Sequence, residues 1–202
     1  MVTLHKRRTL EGWLDAVSFD RFEPNAKPIR EVAIGIDVGW SAGTEIVLIV
    51  QYANMTAHLV QHWRFARRTL AECMTIVLAE ARLFVGIAGI DPAMEAHSVQ
   101  TGKSDAEVVE SFDVPCFANR MDVETRNDYM RRMFGRRDGS RRILIDPACT
   151  HLAHAIMMAG SKADHQHGYD ATSYGLLSHA RQAATSCSPK WRPLRFRRIS
   201  YA

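Results

Sequence analysis

Two apolar runs that each lead to an aspartate constrain the fold of this chain more than any other feature. Asp37 lies at the end of the run at residues 32–38, and Asp91 follows the run at residues 83–90, with Pro92 directly after it. Runs of this length and apolarity are typical of strands buried within a sheet. A carboxylate at the end of a buried strand is costly unless a cation compensates it, and Mg²⁺ or Mn²⁺ is the usual compensation. The sequence therefore predicts a sheet with a divalent-cation site at its edge.

A third acid completes this hypothesis. Asp170 lies in His167-Gly168-Tyr169-Asp170-Ala171, where the last long helix is expected to begin. If the first and fourth strands are neighbours, Asp37 and Asp91 project side by side and Asp170 reaches them from the covering helix. Two divalent ions about 3.5–4 Å apart, bridged by shared carboxylates, can clamp the attacking and leaving oxygens of a phosphodiester. We therefore predict metal-dependent phosphoryl transfer that needs no serine or cysteine nucleophile.

The periodicity of the chain predicts an α/β layered domain with a mixed β-sheet: an antiparallel meander, then parallel strands alternating with helices that flank the sheet. A capping-box pattern at Ser104 and Glu107 marks the start of one helix. The expected strands are 32–38, 45–52, 58–65, 83–90, 115–118 and 143–145, and the expected helices are 70–81, 104–112, 123–134, 149–159 and 169–183. We assign residues 1–30 to a lead-in or linker with one helical turn near 10–17, 31–184 to the domain and 185–202 to a basic tail.

Composition narrows the class of protein. A chain of 202 residues that is 47% hydrophobic can bury one good core. Its net charge of +4 permits nucleic-acid binding, and arginines make up 21 of its 26 basic residues. Guanidinium suits bidentate phosphate contact, although a GC-rich genome explains the arginines equally well. The four scattered cysteines indicate reduced core residues, and neither a membrane span nor a signal peptide is recognisable. We expect a soluble protein of the cytoplasm that is not secreted.

Three short motifs carry a resemblance to a known family. They are Ile34-Gly35-Ile36-Asp37-Val38-Gly39, Gly89-Ile90-Asp91-Pro92 and His167-Gly168-Tyr169-Asp170-Ala171-Thr172-Ser173-Tyr174. Together they resemble the acidic motifs of the nuclease domain of tailed-bacteriophage terminase large subunits, over roughly residues 30–182. The resemblance implies an RNase H-like (RuvC-like) fold, Mg²⁺ or Mn²⁺ (two ions) on Asp37, Asp91 and Asp170, and His167 at the metal site or assisting its water. It also implies endonucleolytic cleavage of concatemeric double-stranded viral DNA during genome packaging.

One departure from that family is large. Its members carry an ATPase motor ahead of the nuclease, but this sequence has no Gly-x-x-x-x-Gly-Lys-Ser/Thr loop. We therefore expect an excised or a separately encoded nuclease domain. The resemblance implies that it works in the host cytoplasm with double-stranded DNA, the portal protein, the small terminase subunit and an ATPase motor that is absent from this chain.

A basic loop within the arginine-rich segment at residues 120–142 is the candidate DNA-contacting surface. The segment holds eight arginines against four acids. We expect Arg136, Arg137, Arg141 and Arg142 to follow the phosphate backbone beside the cleft, although a solvated helix face explains much of the charge. The tail at residues 190–198, with five basic residues, is open to a contact with DNA, a contact with a protein partner, or disorder.

Other interpretations stay open. Asp146 follows a strand but is expected to begin the next helix, and Asp164 is a candidate accessory ligand. Zinc binding is a further alternative, suggested by Cys149, His151 and His154 and by the pair His165 and His167. The spacing of the first three matches no familiar structural zinc site. Sugar kinases and actin-like ATPases share the Gly-Ile-Asp-x-Gly strand but need two lobes. Junction resolvases and transposases share the acid geometry, and a non-catalytic packaging or DNA-binding module is the remaining alternative.

Overall fold

The described residues form a seven-stranded mixed sheet. A computed structural model describes residues 18–19, 22–23, 28–39, 43–54, 56–98, 102–134, 142–158 and 166–185. The strands are β1 (Ser18–Phe19), β2 (Ile29–Asp37), β3 (Thr44–Tyr52), β4 (Ala57–Phe65), β5 (Ile87–Ile90), β6 (Cys116–Ala118) and β7 (Ile143–Ile145). Their order across the sheet is β1-β7-β4-β3-β2-β5-β6.

The sheet has the two parts that the sequence predicts. β2, β3 and β4 form an antiparallel meander in which Asp37 pairs with Glu45 and Glu45 pairs with Arg64. β5 adds to β2 in parallel and β6 adds to β5 in parallel, while β7 runs parallel to β4 on the other side. The predicted mixed α/β sheet, including the neighbouring first and fourth predicted strands, is therefore confirmed.

Within the part of the chain that the structure describes, five α-helices cover the two faces of the sheet. They are α1 (Leu70–Ala81), α2 (Asp105–Glu110), α3 (Val123–Phe134), α4 (Thr150–Met158) and α5 (Gln166–Thr185). One core cluster joins α1 and α2 to side chains such as Ile34 and Trp63 on one face. The second joins α3, α4 and α5 to side chains such as Val47 and Leu59 on the other face. Every residue of β3 is buried, because helices cover this central strand on both faces.

Local signals account for the helix boundaries on the first face. Thr69 caps α1 and Ser104 caps α2, each in a capping box with a glutamate three residues later. The apolar positions Leu70, Cys73, Met74 and Val77 face the core, as the helical period predicts. No helix within the described residues is long and apolar enough to cross a membrane.

Three boundaries differ from the prediction. β5 begins only at Ile87, because residues 83–86 form an irregular segment in which Phe84 is 72% exposed. α5 begins three residues earlier than expected, at Gln166, so that His167 lies in its first turn. Ser18 and Phe19, assigned to the lead-in, pair with β7 and extend the sheet. The helical turn expected near residues 10–17 and the tail at 185–202 lie, apart from Thr185, outside the described residues.

Candidate functional site

The three predicted acids come together at one edge of the sheet. Asp37 is the last residue of β2, and Asp91 directly follows β5. These strands are parallel neighbours with Ile36 opposite Ile90, so both carboxylates lie at the same, carboxyl edge. Asp170, in the second turn of α5, is close enough to both for their charges to raise its pKa. The grouping expected from sequence is thus present, whereas the role of each residue stays a prediction.

Two glycines allow α5 to lie close enough for Asp170 to reach the strand ends. Gly35 and Gly89 sit two residues before Asp37 and Asp91, and therefore on the same face of the sheet as those acids. A Cβ on Gly35 would lie 1.8 Å from the carbonyl oxygen of Ala171, and a Cβ on Gly89 would lie 2.1 Å from that of Tyr174. Only glycine at both positions permits this helix–sheet distance, which sets the geometry of the site.

His167 contacts the first acid directly. Its Nδ1 lies 2.5 Å from Oδ2 of Asp37, and both side chains are partly buried. Burial raises the pKa of Asp37; the hydrogen bond and charge of His167 oppose this shift, while the nearby Asp91 and Glu45 add to it. The residue that the sequence motif associates with the metal site is therefore a hydrogen-bonding partner of Asp37 in the described structure.

Both carboxylate oxygens of Asp91 have donors. The backbone N–H of Ala93 donates to Oδ1 at 2.7 Å, because Asp91 caps the short 3₁₀ turn Pro92–Glu95. The hydroxyl of Tyr174 donates to Oδ2. Burial and this hydrogen bond raise the pKa of Tyr174, so the phenol stays protonated and remains a donor. Asp91 therefore both caps the 3₁₀ turn and belongs to the acid cluster, the group formed by Asp37, Asp91 and Asp170.

Arg126, a residue that sequence analysis did not single out, is the partner of Asp170. Its Nη2 lies 2.8 Å from Oδ1 of Asp170, and the two side chains are only 8% and 13% exposed. The angles of this ion pair do not make a hydrogen bond, so Oδ1 of Asp170 and Nε of Arg126 lack one among the described residues. Burial raises the pKa of Asp170 by more than the charge of Arg126 lowers it, and the nearby Asp37 and Asp91 raise it further. The pKa of Asp170 is therefore about 6.

Glu45 is a fourth carboxylate that sequence analysis missed. It is the cross-strand neighbour of Asp37, and its side chain is 5% exposed. Nε2 of His62 lies 2.9 Å from Oε2, and Nε of Arg64 lies 3.2 Å from Oε1. Gly168 leaves room for this carboxylate, since a Cβ there would lie 2.8 Å from Oε2. The available signal was an acid at the start of a strand whose following residues are mostly apolar.

The donor set fits a hard divalent cation. Carboxylate oxygens are the ligands that Mg²⁺ and Mn²⁺ prefer, and a cation would offset the burial that raises the pKa of Asp37 and Asp170. Oδ1 of Asp170 is a buried oxygen with capacity to spare. Among the described residues, however, no three acidic, histidine or cysteine side chains stand ready to hold an ion together. Asp37 and Asp91 are held by hydrogen-bonding partners, and Asp170 lies against Arg126. Joint binding of an ion therefore requires these side chains to re-orient.

Of the four arginines predicted to contact DNA, only Arg142 lies within the described residues. Arg142 immediately precedes β7, which starts opposite Ala57 at the amino end of β4, the end remote from the acids. Arg136, Arg137 and Arg141 fall outside the described residues, so the predicted DNA contact of these four arginines stays a prediction.

Exposed arginines do occur at the carboxyl edge itself. Arg64 lies near the end of β4 beside Glu45, and Arg67 and Arg68 follow that strand. Arg120 follows β6 and pairs with Glu95. Sequence analysis did not single out any of them, because their position beside the acids follows from the strand order.

The residues of the alternative hypotheses are also placed. Asp146 accepts hydrogen bonds from the backbone N–H groups of Phe22 and Ala148, in keeping with the expected role before a helix. Cys149 is buried whereas His151 and His154 are exposed. Asp164 and His165 lie outside the described residues.

Comparison with known proteins supports the fold. No protein-family model matches the chain, and no curated protein matches its sequence. Among solved structures, the nuclease domain of the P22 large terminase matches with a TM-score of 0.64 at 13% identity, over 82% of this chain and 89% of that chain. The nuclease domain of the large terminase g2p from bacteriophage SPP1, with bound Mn, matches with a TM-score of 0.56 at 10% identity, over 82% of this chain and 98% of that chain.

A large terminase from a thermophilic bacteriophage, in complex with ATP-γ-S, matches with a TM-score of 0.63 at 12% identity. That match covers 80% of this chain but 44% of the thermophilic phage protein, so the present chain spans less than half of it. The chain thus has the RNase H-like fold of the terminase nuclease domains, which confirms the fold implied by the sequence motifs.

Proposed function

We propose that this chain is a divalent-metal-dependent endodeoxyribonuclease of the terminase large-subunit type, which cuts concatemeric double-stranded viral DNA during genome packaging. The observation that carries the proposal is the convergence of Asp37, Asp91 and Asp170 at one edge of a sheet with the fold of terminase nuclease domains. The similar domain of SPP1 has bound Mn, which accords with a metal at such a site.

In this proposal Asp37, Asp91 and Asp170 hold Mg²⁺ or Mn²⁺, with two ions bound in the active state. Bound at these carboxylates, such ions would supply polarisation of the phosphodiester and a water molecule of lowered pKa, the nucleophile that hydrolysis requires. His167 keeps the carboxylate of Asp37 in place through its hydrogen bond. Tyr174 and the backbone of Ala93 hold the carboxylate of Asp91.

The DNA substrate needs a cationic surface beside these acids. Arg64, Arg67, Arg68 and Arg120 are exposed and lie at the same edge of the sheet as Asp37. We propose that they contribute contacts to phosphates, which carry affinity but no sequence information. Contacts from Arg136, Arg137, Arg141 and Arg142 remain part of the proposal from sequence. Little sequence specificity is expected, since the sequence contains no recognisable groove-reading helix with base-contacting residues.

The proposed setting rests on the resemblance to terminase large subunits. In this proposal the nuclease works in the host cytoplasm with the portal protein, the small terminase subunit and an ATPase motor. ATP-driven translocation is not proposed for this chain, since its similarity to the thermophilic phage terminase spans less than half of that protein.

Cleavage of supercoiled plasmid DNA tests the proposal. We expect nicking and linearisation by the wild type with Mn²⁺ or Mg²⁺, none with EDTA, and loss of at least about 100-fold in Asp37→Asn, Asp91→Asn and Asp170→Asn. Asp146→Asn is the matched control, because Asp146 also follows a strand and accepts two backbone hydrogen bonds but lies outside the acid cluster. A folded wild type that never cuts, or a cluster variant that cuts as the control does, contradicts the assignment.

A further inference from the structure

Arg126 is a buried cation that the proposed chemistry does not use. It lies on α3, and its residue exposure is 7%. The guanidinium carbon lies 5.0 Å from the centre of the Tyr174 ring, so the cation packs against the phenol that donates to Asp91. Nη2 lies 2.8 Å from Oδ1 of Asp170. One side chain of α3 thus touches two parts of the acid cluster.

The pairing of Arg126 with Asp170 is incomplete. Buried polar atoms in native proteins are nearly always hydrogen-bonded, and charged ones especially so. Here Nε of Arg126 and Oδ1 of Asp170 both lack a hydrogen bond among the described residues. Arginine and carboxylate are able to form two parallel hydrogen bonds, yet this pair makes a close contact without that geometry. Two unsatisfied atoms at the same point indicate an arrangement that leaves Asp170 available to another cation.

We propose that Arg126 competes with the divalent cation for Asp170 and thereby sets the metal affinity of the site. In the metal-free protein its charge partly neutralises a carboxylate that is 13% exposed and surrounded by other acids. An ion that binds Asp170 displaces the guanidinium from Oδ1, while the stacking on Tyr174 keeps the arginine nearby. The inference rests on the proposed function only in that Asp170 is taken as a metal ligand.

A purely structural ion pair leads to the opposite expectation. If Arg126 only held Asp170 in place, its removal would misplace the carboxylate and weaken ion binding. If Arg126 competes, its removal takes away a positive charge beside the ion and leaves Asp170 free, so ion binding becomes tighter. At an effective dielectric constant of about 20, charges separated by a few ångströms interact strongly enough to change affinity by about tenfold or more.

Calorimetric titration of the whole 202-residue chain with Mn²⁺ at a pH of about 8, where carboxylates are ionised, separates these expectations. We expect Arg126→Gln to bind Mn²⁺ about tenfold more tightly than the wild type. Arg126→Lys keeps the charge and should stay within about threefold of the wild type. Arg131→Gln, at a half-exposed position further along α3, is the matched control and should bind as the wild type does. Equal or weaker binding by folded Arg126→Gln overturns the proposal.

A second measurement covers the case in which Arg126→Gln does not fold. The Nε–H signal of Arg126 in the wild type, identified by its absence from the Arg126→Lys spectrum, is followed by NMR as Mg²⁺ is added. We expect it to shift with the same midpoint as a calorimetric titration with Mg²⁺, because the ion displaces the guanidinium. A signal that does not respond while Mg²⁺ binds overturns the proposal.

The two proposals fail in distinguishable ways. If the wild type binds Mn²⁺ and cuts DNA but Arg126→Gln binds with unchanged affinity, only the competition is wrong. If affinities change as expected but no DNA is cut, the competition stands and the nuclease assignment falls. If neither the wild type nor Arg126→Gln binds Mn²⁺, both are wrong.

Discussion

Replacement of Gly35 by alanine tests whether the helix–sheet distance sets the geometry of the acid cluster. The new Cβ would lie 1.8 Å from the carbonyl oxygen of Ala171, whereas an ordinary contact begins at 3.4 Å. The atoms that obstruct it belong to the backbone of α5, so no side chain can turn away. The difference between 3.4 and 1.8 Å requires α5 to retreat by about 1.6 Å, and Asp170 and His167 move with it.

The expected cost has two parts. Forcing an extra methyl group into a packed core costs about 1–3 kcal/mol, and a backbone clash of this size belongs at or above the upper end. A misplacement of about 1 Å in a catalytic group costs about 100-fold in rate. We therefore expect Gly35→Ala to lose about 3 kcal/mol of unfolding free energy in urea. Its Mn²⁺-dependent plasmid cleavage should fall by about 100-fold or more.

Two further glycines provide graded controls. A Cβ on Gly86 meets only the carbonyl oxygen of Val32, at 3.6 Å, so Gly86→Ala should stay within about 1 kcal/mol of the wild type and retain activity. A Cβ on Gly175 would lie 2.6 Å from Cδ1 of Ile49, a flexible side-chain end, and 2.9 Å from the backbone N of Gly35, which predicts an intermediate effect. Wild-type stability and cleavage in Gly35→Ala would refute the reasoning, as would a larger effect in Gly86→Ala.

Two other predictions concern the partners of the acids. The pKa of Asp170 is raised from 3.8 to about 6, so the folded protein binds the proton of this carboxyl group more tightly than the unfolded chain does. Protonation of Asp170 therefore stabilises the fold. This contribution is present below about pH 4 and is lost as the pH rises to about 6. In EDTA, the unfolding free energy of the wild type should therefore fall relative to that of Asp170→Asn between about pH 4 and pH 6. A difference between the two proteins that does not depend on pH contradicts the raised pKa of Asp170. Tyr174→Phe removes the donor to Oδ2 of Asp91 but keeps the ring beside Arg126, and should lower the unfolding free energy in urea by about 1–2 kcal/mol. Unchanged stability would show that the hydroxyl contributes nothing.

Much of the fold could be predicted because its signals are local. The helical period from Leu70 onward predicted α1, and Ser104 with Glu107 predicted the start of α2. β2, β3 and β4 were recognisable as apolar strands separated by short turns, which favour antiparallel pairing. The acids were found in the same way, since Asp37 and Asp91 close apolar runs.

The elements that were missed lack such a local signal. Ser18 and Phe19 form a strand of two residues, too short for any period, and it exists through pairing with Leu144 and Ile145 far along the chain. β5 starts late because four residues of its apolar run lie outside the sheet, Phe84 among them. The position of Arg142 away from the acids follows from the strand order, which the charge pattern does not encode.

By itself, the sequence determined which residues are acids at strand ends and where most strands and helices run, because periodicity and capping act within a few residues. It also placed His167 and Tyr174 on one motif with Asp170. The tertiary structure alone decided that Arg126 meets Asp170 and that Glu45 lies beside Asp37 under Gly168. The contact of Arg126 with Asp170 joins two helices and forms only when α3 and α5 pack on the sheet, whereas the position of Glu45 beside Asp37 depends on the antiparallel register of β2 and β3.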